Sequence, residues 1–144
     1  MKNTKKVLLV ALMLIGIVLC FAEETEYSVT VTVTGITNYE GEISIGLFSN
    51  EENYSKGDVF LGAFVKADNE TITYTFENIP EGVYAIAIYH DENSNKKLDS
   101  NFLHIPKEGY GFSNNVFGTF GPPKFEKAKF EVKKDIQLEI RMKY

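Results

Sequence analysis

The sequence predicts an all-β fold, a single antiparallel β-sandwich of about seven strands that follows a short N-terminal export signal. Three observations predict it. Apolar and polar residues alternate with a period of two over most of the chain after residue 22. Turn residues separate these segments, and no stretch has the periodicity of a long helix. Two sheets packed face to face, as in an immunoglobulin-like sandwich, bury the apolar faces of such strands.

Composition sets the class of protein before any single residue is considered. The chain has 144 residues, 15 Lys plus Arg against 20 Asp plus Glu, and 44% hydrophobic residues. This length suits one domain, and the hydrophobic fraction excludes a disordered chain. One cysteine excludes a disulfide scaffold. A pI near 5.1 has the wrong sign for a phosphate backbone, so no nucleic-acid partner is expected.

The first 22 residues have the pattern of a secretory signal peptide. Three lysines precede an uncharged apolar run over residues 7–21, which is shorter than the roughly 20 residues that a bilayer crossing needs. Cys20 and Ala22 supply the small side chains expected before cleavage at Glu23. Membrane contact is therefore expected only through this segment, and the protein is expected in the periplasm or outside the cell.

Cleavage would leave residues 23–144 as the β-sandwich domain. This part of the chain has 12 basic and 20 acidic side chains, a net charge of -8, and no cysteine. Two alternatives remain open, a lipidated Cys20 and an uncleaved N-terminal anchor. Leu19 stands before Cys20 where a lipoprotein normally requires a small residue.

The first four strands are predicted from simple alternation. Three valines alternate with three threonines over residues 29–34, and Gly35 ends the strand. Residues 43–47 form the second strand after a turn that contains Gly41. Residues 60–65 follow a polar loop over 49–58, and residues 72–76 alternate apolar side chains with threonines.

The last three strands differ in what covers them. Residues 83–90 are apolar on both faces, which is typical of a central strand covered on both sides. Residues 127–133 and 136–142 each have one apolar and one charged face, and such charges protect a sheet edge against aggregation. Residues 91–124 lack sustained alternation, and loops of this length are usually functional or disordered.

The start of that long loop suggests a calcium site. Oxygen-bearing side chains occupy positions 1, 3, 5 and 9 of a run made up of Asp91, Asn93, Asn95 and Asp99. Ca²⁺ takes six to eight oxygen ligands, which this spacing could wrap around one ion. Lys96 and Phe102 replace the glycine and the glutamate of an EF-hand loop, and flanking helices are missing, so an EF-hand is excluded. A surface turn bonded by its own Asx side chains is the alternative.

The two histidines flank the same loop. His90 and His104 could meet, and zinc would then take further ligands from Asp91, Asp99 or Glu108. The alternative is that His90 caps the buried strand with hydrogen bonds. A small periplasmic hydrolase would require His90 and a carboxylate together in a concave pocket. The chain has no Gly-x-Ser-x-Gly sequence and no phosphate-binding glycine loop, so no enzyme is predicted.

Residues 110–125 combine aromatic side chains with glycines, and Pro122-Pro123 ends the segment in an extended conformation. The aromatics either form a platform for sugars or peptides or close one edge of the core. The residues assigned to a possible binding surface are His90, His104, Glu108, Tyr110, Phe112 and Asn114.

Several motifs in this region resemble a known family. They are Ile-Pro-Glu-Gly-Val-Tyr-Ala at 79–85, His-Asp-Glu-Asn at 90–93 and Ile-Pro-Lys-Glu-Gly-Tyr-Gly-Phe-Ser-Asn-Asn at 105–115. With Pro122-Pro123 and the closing strands, they resemble the bacterial family called domain of unknown function 2141. The resemblance implies export and a sandwich related to transthyretin-like or carboxypeptidase regulatory-like domains. Lys96 and His104 depart from the family pattern, which tends to have glycine at both positions.

The sequence therefore predicts an exported, non-enzymatic binding or structural module of the cell envelope. Its partner would be an envelope protein or a glycan, bound by residues 91–99 and 106–115, because loops on a rigid sandwich carry function more often than its faces do. A calcium-stabilised binding domain and a small hydrolase are the alternatives.

Overall fold

Within residues 25–144, eight strands in two sheets form the fold. We describe residues 25–144 from a computed structural model, and the predicted signal peptide lies outside them. The elements in chain order are β1 (Glu26–Thr34), β2 (Glu42–Phe48), α1 (Glu51–Lys56), β3 (Leu61–Lys66), β4 (Ile72–Pro80), β5 (Gly82–Asp91), β6 (Tyr110–Phe112), a 3₁₀ turn (Ser113–Asn115), α2 (Phe125–Ala128), β7 (Phe130–Val132) and β8 (Ile136–Arg141). None of the helices within residues 25–144 is long and apolar enough to cross a membrane. The predicted all-β fold class is confirmed.

The two sheets have different strand orders. One has the order β4-β1-β8, and the other has β3-β2-β5-β6, with β7 paired to the first residues of β5. All pairs are antiparallel except β1 with β8, which run parallel from Val29 opposite Ile136 to Thr34 opposite Arg141. Alternation in a sequence defines the faces of a strand and not the direction of its neighbour, so this parallel pair was outside what the pattern could predict.

The core lies between the sheets and uses the predicted faces. Its fully buried side chains come from alternate positions of facing strands and include Val29, Val31, Val33, Ile43, Ile45, Leu47, Ile86 and Ile140. Each such side chain contributes about 1.5–3 kcal/mol on burial. Because β-branched residues also favour extended backbone, the same residues form the strands and the core.

A second, smaller cluster covers β5 from the other side. Ala85 packs there with Phe125 and Ala128 of α2, and Tyr54 of α1 lies against them. The prediction that both faces of this strand are covered is therefore confirmed at Ala85, whereas Val83 on the same face is 38% exposed. The predicted strand over 127–133 is shorter than expected, because α2 takes up its first residues and β7 begins at Phe130.

Helix α1 replaces part of the predicted loop over residues 49–58. The side chain of Asn50 accepts a hydrogen bond from the backbone N–H of Asn53 at 2.9 Å and caps the helix. Gly57 ends it with a left-handed φ of 76°. The helix is six residues long and buries none of its residues completely, so it has no apolar stripe that a periodicity analysis could detect.

Candidate functional site

The long loop between β5 and β6 is held at its base by two buried carboxylates. Asp91 ends β5, and its carboxylate accepts bonds from the backbone N–H groups of Asn95 at 2.9 Å and Lys96 at 2.8 Å. Glu108, at the other end of the loop, accepts from the N–H groups of Glu92 at 3.0 Å and Asp99 at 2.7 Å. Hydrogen bonds to charged groups are worth about 1.5–3 kcal/mol each, so both acids tie the loop to the sandwich.

His90 lies in the core beside this base. It has no exposed surface, its Nδ1 is 2.8 Å from the Tyr144 hydroxyl, and its Nε2 is 2.8 Å from the backbone oxygen of Glu40. Burial raises the pKa of Tyr144, whose hydroxyl also accepts a bond from the backbone of Thr37. The hydrogen bonds of His90 therefore connect β5 to the C-terminus and to the turn before β2.

The last residue of β5, Asp91, lies so close to position 41 that only glycine fits there. Gly41 has a φ of 68°, and a Cβ atom at this position would lie 2.0 Å from the backbone oxygen of Asp91. Only glycine allows so close an approach at a positive φ. The turn that contains Gly41 therefore brings the Glu40 carbonyl to His90.

Three of the four residues of the predicted calcium site are bonded to one another through their side chains, and the Asp91 carboxylate joins them through the backbone N–H of Asn95. The amides of Asn93 and Asn95 donate to the two carboxylate oxygens of Asp99 at 2.6 and 3.1 Å. Their own side-chain oxygens accept backbone bonds from Asn95 at 3.1 Å and Lys97 at 2.8 Å. This is the bonding pattern of the Asx-turn alternative.

Within residues 25–144, no group of three or more His, Cys, Asp or Glu side chains is placed to hold a metal ion. Calcium binding stays a prediction, because Asn oxygens are also calcium ligands.

Lys96 and His104, which stand where the resemblance implies glycine, adopt the backbone conformation that glycine favours. Their φ angles are 65° and 59°. The tight turns are therefore kept without glycine, at some conformational cost. Lys96 also forms an ion pair with Glu42, and its ammonium group lies 3.9 Å from the centre of the Phe64 ring, so its side chain contacts both β2 and β3.

The far end of the loop exposes apolar side chains on a turn that is held by hydrogen bonds to the Asn101 side chain. Phe102 is 88% exposed, Leu103 62% and Ile105 55%. The Asn101 side chain accepts from the N–H groups of Leu103 at 2.9 Å and Ile105 at 3.1 Å. We call residues 100–106 the tip loop, since Ser100 and Pro106 pair at its base.

Of the tip loop, the sequence predicts only His104 and Pro106 as part of the binding region, and it misses Phe102, Leu103 and Ile105. These three large apolar residues do not alternate, and the only signal was a short apolar cluster in a long polar stretch. Exposed apolar residues of this kind mark interaction sites when they are contiguous.

The remaining residues of the predicted binding surface have structural contacts. Phe112 is buried, and the Asn114 amide donates to the backbone oxygens of Lys127 at 3.0 Å and Lys129 at 2.9 Å. Tyr110 packs edge-on against Phe112, with ring centres 6.1 Å apart. Phe120 is fully exposed, so the aromatic segment is divided between core closure and exposed surface.

Comparison with known proteins places the chain in one family. No curated protein and no solved structure matches it. A family model described as "Uncharacterized protein conserved in bacteria (DUF2141)" matches residues 31–139. This match spans β1 to β8 and includes the buried acids and the tip loop. The chain therefore belongs to the bacterial DUF2141 family.

Proposed function

We propose that the protein is an exported, non-enzymatic binding module of the cell envelope, and that the tip loop contacts its partner. The observation that carries this proposal is the exposure of Phe102, Leu103 and Ile105 on a turn that is internally hydrogen-bonded. An ordered loop loses little conformational entropy on binding, so its apolar residues can contribute most of their burial energy to affinity.

The geometry around His90 supports binding rather than catalysis. A general base needs a ring nitrogen that can reach a substrate. Both ring nitrogens of His90 are within hydrogen-bond distance of protein atoms, and the side chain has no exposed surface. Within residues 25–144, the ring is paired with the carboxylate of Glu92, whose Oε1 is 3.9 Å from Nδ1.

The lack of acidic side chains in the tip loop supports a partner protein that offers an apolar pocket. Residues 100–107 contain no Asp or Glu, although the whole chain has a net charge of -5. Docking of the tip loop into an apolar pocket therefore removes no carboxylate from water, a step that would cost free energy. A partner protein with an apolar pocket about the size of one aromatic side chain fits this surface best.

Export is tested by the N-terminus of the protein recovered from its native cells. We expect the chain to begin at Glu23 and to fractionate with the cell envelope or the medium. N-terminal sequencing and fractionation measure this. A cytoplasmic protein that retains Met1 contradicts the proposal.

Binding by the tip loop is tested with a photo-crosslinking residue at position 102, in cells, and the same residue at position 120 as the matched control. Both positions carry highly exposed phenylalanines. We expect one discrete crosslinked protein from position 102, lost with Leu103→Asp and absent from position 120. Equal crosslinking from both positions contradicts the proposal.

A membrane partner is tested separately. The chain has no tryptophan, so Phe102→Trp introduces a single fluorescent probe. We expect its emission to stay unchanged with vesicles of phosphatidylethanolamine and phosphatidylglycerol. A blue shift would identify a lipid surface and overturn the protein partner.

A further inference from the structure

A cavity of about 410 Å³ lies beside the C-terminal strand, away from the tip loop. It is lined by Asn115, Phe117, Glu139, Arg141, Met142 and Lys143. Sites for small ligands have volumes of about 300–1,000 Å³, so this cavity can hold a small molecule or the end of a chain.

One wall of the cavity is the exposed face of β8 and its continuation. Glu139, Arg141 and Lys143 are alternate residues, and their side chains are exposed. The Asn115 side chain joins the opposite wall to this strand, because it accepts from the Arg141 N–H at 2.8 Å and donates to the Glu139 carbonyl at 3.1 Å. The two walls are therefore joined by side-chain-to-backbone hydrogen bonds.

Phe117 supplies an aromatic surface. Its ring packs edge-on against Tyr110 and Phe112, with ring centres 5.9 and 6.3 Å away. The Lys143 ammonium lies 5.0 Å from the centre of the Phe117 ring, and cations at this distance are attracted to the ring. Phe117 is thus supported by other aromatics and remains partly exposed at the cavity.

Arg141 is the only arginine among the 15 basic residues of the chain. Within residues 25–144, the five ion pairs involve neither Arg141 nor Lys143. A guanidinium group presents a planar fork of donors that binds a carboxylate through two parallel bonds. A free arginine in a cavity of an acidic protein therefore points to an anionic ligand.

The charge of the lining selects the kind of anion. Arg141 and Lys143 contribute two positive charges and Glu139 one negative charge, and Thr34 donates to the Glu139 carboxylate at 3.4 Å. The lining therefore has a net charge of +1, which suits a monoanion better than a doubly charged phosphate group. We propose that this cavity binds a small ligand in which a carboxylate is attached to an apolar or planar group. Arg141 holds the carboxylate, Lys143 adds a second positive charge, and Phe117 packs against the planar part.

The test is an NMR titration of the purified, isotope-labelled protein. The probes are N-acetyl-phenylalanine, its uncharged methylamide, galacturonate and inorganic phosphate. The variants are Arg141→Gln, Arg141→Lys and, as the matched control, Lys133→Gln, because Lys133 is exposed and lies outside the cavity. The spectrum of each variant also reports whether it is folded.

We expect saturable shifts at residues 115–117 and 139–143 with N-acetyl-phenylalanine, and weaker binding of galacturonate, whose ring is neither apolar nor planar. Tighter binding of galacturonate than of N-acetyl-phenylalanine would overturn the proposal. Arg141→Gln should weaken binding at least tenfold, Arg141→Lys less, and Lys133→Gln not at all. Equal binding of the methylamide, tighter binding of phosphate, or unchanged binding by Arg141→Gln would each overturn the proposal.

Discussion

The hydroxyl of Tyr54 illustrates how single polar atoms affect this sandwich. It is buried in the small cluster between α1 and α2, and it has no hydrogen-bond partner among residues 25–144. Its ring packs edge-on against Phe48 and Phe125, with ring centres 5.3 and 5.8 Å away. Burial raises the pKa of Tyr54 to about 12. The ring therefore stabilises the cluster while its hydroxyl is a cost.

We expect Tyr54→Phe to raise the free energy of unfolding by about 1 kcal/mol, because a buried donor without a partner costs about 1–3 kcal/mol. Tyr84→Phe is the matched control, since the Tyr84 hydroxyl donates to the Pro80 carbonyl at 2.9 Å. It should lower the free energy of unfolding by about 1 kcal/mol. Urea unfolding at pH 7 measures both changes, and a less stable Tyr54→Phe would refute the account.

The same residue sets a pH dependence. The Tyr54 pKa is about 12 in the folded chain and about 10 when unfolded. Ionisation of Tyr54 therefore leaves the free energy of unfolding unchanged below pH 10 and lowers it as pH rises from 10 to 12, because the unfolded state loses its proton first. Tyr54→Phe should therefore lose less stability over this range than the parent protein, as measured by unfolding at pH 9, 10 and 11.

Among the elements, β8 links the two sheets. It pairs with β1 along six residues, and the two residues after it continue into the other sheet, where Lys143 exchanges two 2.9 Å backbone bonds with Tyr110. Ile140 and Met142 point into the core. The last strand thus closes the sandwich and forms one wall of the cavity.

We expect Ile140→Ala to lower the free energy of unfolding by about 2–5 kcal/mol, since Ile140 is fully buried. Gln137→Ala, on the exposed face of the same strand, should change it by less than about 0.5 kcal/mol. Urea unfolding of both variants gives the comparison. Equal effects would mean that β8 is not part of the core.

The sequence predicted the long strands well and the short elements poorly. Residues 29–34 and 83–90 alternate over enough positions for their faces to be read directly. Strand β6 has three residues, and α2 has four. At that length neither period repeats, so packing against β5 and not local sequence decides the structure.

For the whole molecule, the charged groups of the long loop act mainly in bonding the loop to itself and to the sandwich. Asp91 and Glu108 accept four backbone bonds between them. These bonds hold both ends of the long loop against the sandwich. Calcium would have to compete with the amides that already donate to Asp91 and Asp99.

We therefore expect the same Tm in excess calcium and in chelator. A ligand that binds only the folded state would add about 2.7 kcal/mol at a hundredfold excess over its Kd, which shifts the Tm by several degrees. Thermal unfolding followed by circular dichroism in both conditions measures this. A higher Tm in calcium that is lost with Asp99→Asn would establish the calcium-stabilised alternative.

The sequence by itself determined the all-β class, the faces of the long strands, the position of the long loop and the family. These properties follow from local alternation and from motifs, which involve only residues that are close together in the sequence. The tertiary structure decided that β8 runs parallel to β1, that His90 and Asp91 are buried and hydrogen-bonded, and that Arg141 lines a cavity and forms no ion pair within residues 25–144. These depend on contacts between residues up to about a hundred positions apart, and a local pattern carries no information about which distant group a side chain meets.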